Sequence, residues 1–536
     1  MENEYPHRVA GAGQSTASTR RRRGRGVRAV LAGACALGIV GIAAPEASTA
    51  PTGPRIVLRA TARHVDVFHF GEDGPVDLSR VGVWVDAPGR PFEVRVQREY
   101  GDPFTMSLID RTLHRTIVTA LPGTLSGDFS GLADFFSVTI WRLDGRIAHR
   151  GTADFCPNWF ETARTNPTGP SEPTYPYGCI NSTWTKGTVM GIDRGWSVPA
   201  LKPFGFEGEG VEEPLTLENG RYRLRLAIRE PWRDALGLPV ESSTRIIGIT
   251  VRESDFGECP PFCDFATDGQ QAQLRTTFST SDHTAPSGRA AYSGPAPVTL
   301  PDLVPTPAWS MNTSREEGRD YLNFAADVWN AGPGPLVVEG FRRPNEAVMD
   351  AHQFFYRDGE AVRSELVGEF RYHPRGGHDH WHFQDFARYV LTDASKVNVQ
   401  RSGKMAFCLA PTDLIDTTVP NADLRLIQTG FTQCGGKEAR WIREVLQTGW
   451  GDTYTQFKQG QAFDITDLPN GTYFVKVVAN PDHNLIEGDF ANNVSYRRVR
   501  LGGVPGRRTV TVPPYRGMDT ETGDGDPFFA LNTGTS

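Results

Sequence analysis

The chain has 536 residues, 38% apolar and 22% charged, a globular profile that excludes a disordered tail, a coiled coil and a multi-span membrane protein. Its formal charge is −7, from 56 basic and 63 acidic residues, and no basic stripe crosses its body, which argues against nucleic acid as a partner. The length suffices for two or three cores, and 57 glycines with 39 prolines favour many short strands over long helices.

The amino terminus reads as an export signal over residues 1–50. Residues 20–28 (RRRRGRGVR) form a positive region, residues 29–44 (AVLAGACALGIVGIAA) an apolar one, and EASTA before Pro51 a small-residue cleavage zone. A membrane anchor is disfavoured because roughly 20 apolar residues are needed to span. The expected product is secreted, with no stable membrane insertion after signal removal. Removal takes seven arginines from the 56 basic residues and three glutamates from the 63 acidic ones, leaving 49 against 60. That balance suits cationic substrates as a weak field effect.

Removal also takes Cys35 and leaves six cysteines, an even count that predicts a disulfide framework outside the cell. Spacing does not decide among the fifteen pairings that six cysteines allow. The sequential one is preferred: Cys156 with Cys179, Cys259 with Cys263, Cys408 with Cys434.

Residues 55–253 alternate strand-like runs with turn signals: RIVLRATARHVDVFHF, VGVWVDA, PFEVRVQREY, FFSVTIWRL, GRYRLRLAI and STRIIGITV. Period-two patterning at such intervals predicts an all-β fold with an N-terminal β-sandwich domain. Residues 254–299 are rich in Ser, Pro, Gly and Ala without apolar period and read as a linker. Strand patterning resumes over 300–501, which predicts a second sandwich-like domain with long loops. Residues 502–536 read as a flexible tail. A faint internal echo joins LENGRYRLRLAI (217–228) to LPNGTYFVKVVA (468–479), each an Asn-Gly turn before a strand that opens on a tyrosine. It predicts that both halves end in a similar hairpin, although Asn-Gly turns before strands are common.

Four of the twelve histidines fall between 373 and 382, in YHPRGGHDHWHFQDFARYVL. His378, His380 and His382 are spaced i, i+2, i+4, so on a strand all three imidazoles share one face, with Asp379 and Trp381 on the other. Three neutral imidazoles suit Cu(II), Zn(II), Ni(II) or Fe(II), copper binding strongest by the divalent affinity order. Three ligands leave an open position for catalysis. His373 lies in a loop beyond Pro374 and reads as solvated.

GGHDHWHFQDFARYVL resembles the copper-binding H-x-H-x-H stretch of the lysyl oxidase family, and further landmarks follow in that family's order. They are LPDLV (300–304), SGKMAFCL (402–409), GWGDTY (449–454), FDITDLPNGTYFVKV (463–477) and EGDFANN (487–493). The resemblance covers residues 300–501 and implies a copper- and quinone-dependent amine oxidase. It implies His378, His380 and His382 as copper ligands, and Lys404 and Tyr454 as the pair crosslinked into lysine tyrosylquinone. Cys408 and Cys434 match two half-cystines of vertebrate members that belong there to different bridges. Their direct pairing is an inference from this sequence.

The chemistry needs such a group. Oxidising a primary amine, free or on peptidyl-lysine, requires an electrophilic carbonyl and a two-electron sink, and no standard side chain supplies either. Dioxygen would reoxidise the group, releasing hydrogen peroxide, while the amine leaves as aldehyde and ammonia. Asp452, two before Tyr454, is the nominated base; the alternative is a turn aspartate in Gly-Asp-Thr. The chain has only seven lysines, and arginine could not replace Lys404, because a guanidinium stays protonated. Two other functions stand beside this one: a non-catalytic copper- or zinc-binding sandwich with a cell-envelope role, and a non-haem iron or zinc enzyme.

Overall fold

The computed structural model describes residues 54–521 apart from 70–73, 112–114, 160, 180, 202–214, 254–298, 344–345, 358–359, 375–379, 405, 426–433 and 457–459. The export signal, His378, Asp379, the Cys259–Cys263 pair and nearly all of the 254–299 segment therefore lie outside the described residues. The fold is all-β, as the patterning predicts. Among the described residues the one helix is Glu230–Leu236. No described helix is long and apolar enough to cross a membrane.

In the first half, three sheets enclose one core that includes Leu58, Val85, Val94, Phe136, Leu224 and Ile249. In the second half, a further three sheets enclose a core built on Phe324, Val338, Phe370, Phe383, Leu391 and Val475. Alternation explains the clearest strands. In Gly220–Ile228, Tyr222, Leu224 and Leu226 face inward while Arg221 and Arg223 face water. Strands without alternation escape a period-two reading: Gly187–Ile192 is buried at every residue, and Thr116–Ala120 is almost wholly exposed on a sheet edge.

The internal echo has a structural counterpart. Tyr222 donates its hydroxyl to the Glu218 carbonyl and Tyr473 to the Pro469 carbonyl, each at 2.8 Å and each four residues back. This is the tyrosine corner of Greek-key sandwiches. Each tyrosine strand lies between two antiparallel neighbours, Gly131–Arg142 and Thr244–Arg252 in the first half, Ala387–Thr392 and Val494–Val504 in the second. Two cysteine pairs are bonded as preferred, Cys156 to Cys179 and Cys408 to Cys434.

The expected tail needs correction. Residues 502–504 complete the Val494–Val504 strand, Arg507–Thr511 pairs back on it, and Thr520 is buried. Arg497, itself buried, donates to Thr520 and Glu521, and Glu521 accepts from the Met311 N–H. A charged, glycine-rich stretch looks loose in sequence. Here its polar side chains supply the partners of a buried guanidinium.

The two halves share a continuous seam. The Lys186 N–H donates to the Ile415 carbonyl, the Thr185 hydroxyl to the Leu414 carbonyl, and the Thr417 N–H to the Gly187 carbonyl. Trp184, fully buried, meets the rings of Tyr100, Trp309 and Tyr515 edge-on. The Asp413–Leu414 strand on this seam pairs with Trp450–Tyr454, so the first half abuts the strand that carries Asp452 and Tyr454.

Candidate active site

Two strands organise the histidines. Glu360–Tyr372 pairs antiparallel with Trp381–Gln384, Arg371 facing His382 and Tyr372 facing Trp381. The His373 N–H then donates to the His380 carbonyl at 3.1 Å. Opposed residues share a face, so His373, His380 and His382 lie on one side of the ribbon. Ring centres are 4.4 Å apart for His380 and His382 and 4.8 Å for His373 and His382. His382 is buried. Trp381 points oppositely into the core, its indole N–H on the Gly436 carbonyl. His373, expected to be a solvated loop residue, is instead part of the cluster, because the pairing continues one residue past the regular strand. His382 thus makes ring contact with both His380 and His373, and imidazole nitrogens are donors that suit a metal such as copper.

Lys404 and Tyr454 come from distant segments. Lys404 sits between the strands Asn398–Arg401 and Ala406–Phe407 and is only 6% exposed. Its Nζ lies 4.2 Å from the centre of the Tyr454 ring and 5.1 Å from that of Phe407. Gly460, at φ +87°, explains how the backbone comes so close: a Cβ there would stand 2.8 Å from the Lys404 nitrogen. The next residue, Gln461, is fully buried and donates to the Tyr454 carbonyl at 3.0 Å.

Tyr454 ends the strand Trp450–Tyr454 and is partly buried. Its hydroxyl makes two 2.9 Å bonds to a single residue, accepting from the Cys408 N–H and donating to the Cys408 carbonyl. Phe407 meets its ring at right angles. Phe407 also pairs with Phe383, one residue from His382, so the histidine ribbon and the Tyr454 hydroxyl share a short backbone connection.

Asp452 lies two residues before Tyr454, on the same face of the strand, and is buried rather than in a turn. Burial pushes its carboxyl well above the ordinary range; the Lys404 charge, an Ala410 N–H and the Tyr454 hydroxyl oppose this. One carboxyl oxygen, Oδ2, has no hydrogen-bond partner among the described residues. Burial likewise raises the Tyr454 phenol, reinforced by Asp452, Glu444 and Tyr389. The structure thus joins Lys404, Tyr454 and Asp452 in one site, and gathers His373, His380 and His382 on a ribbon whose Phe383 pairs with Phe407. Sequence reading missed Tyr389, fully enclosed against Phe324 and Phe407, and Glu444, fully buried in the strand Trp441–Leu446. The signal for Glu444 was its apolar setting, Ile442 before it and Val445-Leu446 after.

Comparison with known proteins gives a consistent picture. Residues 364–507 match the family model described as lysyl oxidase. The chain is 28% identical over 227 residues to the protein-lysine 6-oxidase of Rattus norvegicus, covering 40% of this chain and 50% of that protein. It has the same identity over 227 residues to the protein-lysine 6-oxidase of Sus scrofa, covering 83% of that sequence. Lysyl oxidase homolog 2 of Gallus gallus is 28% identical over 169 residues, 30% of this chain and 20% of that one. The match thus spans a fifth to a half of the chicken and rat relatives.

Proposed function

We propose, on the match of residues 364–507 to the lysyl oxidase family model, that the chain is an exported copper- and quinone-dependent amine oxidase acting on primary amines, free or as peptidyl-lysine. The observation that carries this is the contact of buried Lys404, through its Nζ, with the Tyr454 ring, 4.2 Å from its centre. A lysine over a tyrosine is ordinarily a cation–π contact on a surface. Here Lys404 is buried and faces a carboxyl able to take its proton.

His380 and His382, with His378 from the motif, would hold the copper, and Lys404 with Tyr454 would form lysine tyrosylquinone. Bound copper and the quinone supply dioxygen activation and a carbonyl that accepts two electrons. The rest falls to this chain's own side chains. Lys404 must give up a proton to bond a ring carbon, and Asp452 is the adjacent carboxyl that could accept it. Cys408, through its N–H and carbonyl, fixes the Tyr454 hydroxyl, which sets the ring face that Lys404 overlies. Asp452, whose Oδ2 has no hydrogen-bond partner among the described residues, would take the α-proton of a substrate amine. Burial of these groups excludes water from the proton transfers.

The test is peptide mass spectrometry of protein made with copper, searching for Lys404 and Tyr454 joined covalently. Recovery of both only as unmodified peptides would overturn the quinone, and zinc binding without amine-dependent peroxide would indicate a binding protein.

A further inference from the structure

Glu444 is a second carboxyl beside the site, and nothing in the proposed chemistry uses it. It lies in the strand Trp441–Leu446 opposite Val338 and has no exposure to solvent. Its Oε2 accepts from the Leu409 N–H at 2.9 Å, and its Oε1 has no hydrogen-bond partner among the described residues. Its carboxyl stands within 4.8 Å of the Cys408 and Cys434 sulfurs. Such a cluster resembles a metal site, but the two sulfurs are bonded to each other and are not thiolate ligands.

What the contact with Leu409 accomplishes follows from the residue before it. Cys408 supplies both the N–H and the carbonyl that hold the Tyr454 hydroxyl. The peptide linking Cys408 to Leu409 is therefore gripped at one end by Tyr454 and at the other by Glu444. Resting on the quinone reading above, we propose that Glu444 is a positioning residue for Tyr454, acting through the Cys408–Leu409 backbone to set the ring where Lys404 reaches it. Without an acceptor the Leu409 N–H would be an unsatisfied buried donor, and the Cys408 carbonyl would be free to turn away from Tyr454.

The state of the carboxyl fits this role. Burial pushes Glu444 well above the ordinary carboxylate range, and the Asp452 charge adds to the effect, with only the Leu409 N–H opposing. Asp452 is likewise raised by burial, with Lys404 opposing. Two buried acids thus stand in different settings: Asp452 lies beside Lys404, and Glu444 accepts one hydrogen bond from the Leu409 N–H. A carboxamide keeps an acceptor oxygen for the Leu409 N–H but cannot work as a base, which makes the two roles separable.

The experiment compares the full chain with Glu444→Met, which keeps length and removes both oxygens, and Glu444→Gln, which keeps the acceptor. In metal-free protein, hydrogen exchange at the Cys408 amide reports the link directly, with Tyr454→Phe as the reference for a broken link. After copper loading, peptide mass spectrometry reports the yield of joined Lys404 and Tyr454. The expected result is faster Cys408 exchange in E444M, approaching that of Y454F, a joined-peptide yield at least tenfold lower, and recovery of both within twofold in E444Q. Wild-type exchange and yield in E444M would overturn the proposal. So would an E444Q that fails on both readouts while remaining folded, a comparison that also decides the matter if E444M does not fold. If wild-type protein forms no joined peptide, the quinone reading fails, and the exchange comparison still decides the role of Glu444.

Discussion

Lys404 rests over Tyr454 with its Nζ 4.2 Å from the ring centre, although 50 residues separate them in sequence. Lys404→Arg should retain a cation over the ring yet give no joined peptide, because a guanidinium stays protonated and cannot add. Amine-dependent peroxide release should fall to background in that variant and in Tyr454→Phe, while urea unfolding of metal-free Lys404→Arg shifts by about 1 kcal/mol or less, because the cation over the ring is retained.

Asp452 is assigned the proton-accepting role. Asp452→Asn should lower kcat by about 10²–10⁴-fold, the usual contribution of a positioned base. Wild-type kcat should rise with pH as Asp452 loses its proton, through a midpoint displaced upward by burial. The residual activity of the variant should lack that limb. A steady-state pH series on both proteins checks this, and an unchanged limb in Asp452→Asn would move the base elsewhere.

His373 touches His382 ring to ring. His373→Ala should weaken copper binding by about 10–100-fold, the usual loss when a group supporting a ligand is removed. His382→Ala should lose more. Competition titration against a chelator of known affinity measures both, and unaltered affinity in His373→Ala would return that residue to the solvated loop.

Glu444 and the pH dependence of stability are linked. A carboxyl whose folded-state pKa is raised binds its proton more tightly in the native state, so its stabilisation is complete below the unfolded value of about 4.3 and is lost as pH rises through the folded value. Glu444 shifts in that direction. Urea unfolding of metal-free wild type should therefore weaken from mildly acidic toward neutral and higher pH, and Glu444→Gln should reduce that slope.

The seam between halves should be a stability determinant. Trp184 is fully buried among Tyr100, Trp309 and Tyr515, and Trp184→Ala should cost about 3–5 kcal/mol, the usual loss for a large core aromatic. Because the cluster draws on both halves, hydrogen exchange should accelerate at Leu414–Thr417 as well as around Lys186. Acceleration confined to the first half would show that the seam does not couple them.

The all-β architecture was legible because alternation survives wherever a strand has one buried and one wet face, as in Gly220–Ile228. It was lost where both faces are buried, as in Gly187–Ile192, since period two then has nothing to contrast. The spacing of His380 and His382 was equally readable, a local consequence of strand geometry. The adhesion of residues 502–521 was not, because a buried guanidinium at Arg497 finds its partners only after folding.

The amino-acid sequence by itself determined the residue chemistry: imidazoles at alternate positions, a rare lysine, a tyrosine two residues after an aspartate, and cysteines in an even set once the leading segment is set aside. Those are properties of short stretches, where side-chain identity and backbone period suffice. Only the tertiary structure decided that Lys404 meets Tyr454, that His373 joins the histidine cluster, and that Glu444 grips the peptide holding the Tyr454 hydroxyl. Each of these depends on strand register and burial between segments remote in the chain, and register is set by the packing of whole sheets rather than by any one segment.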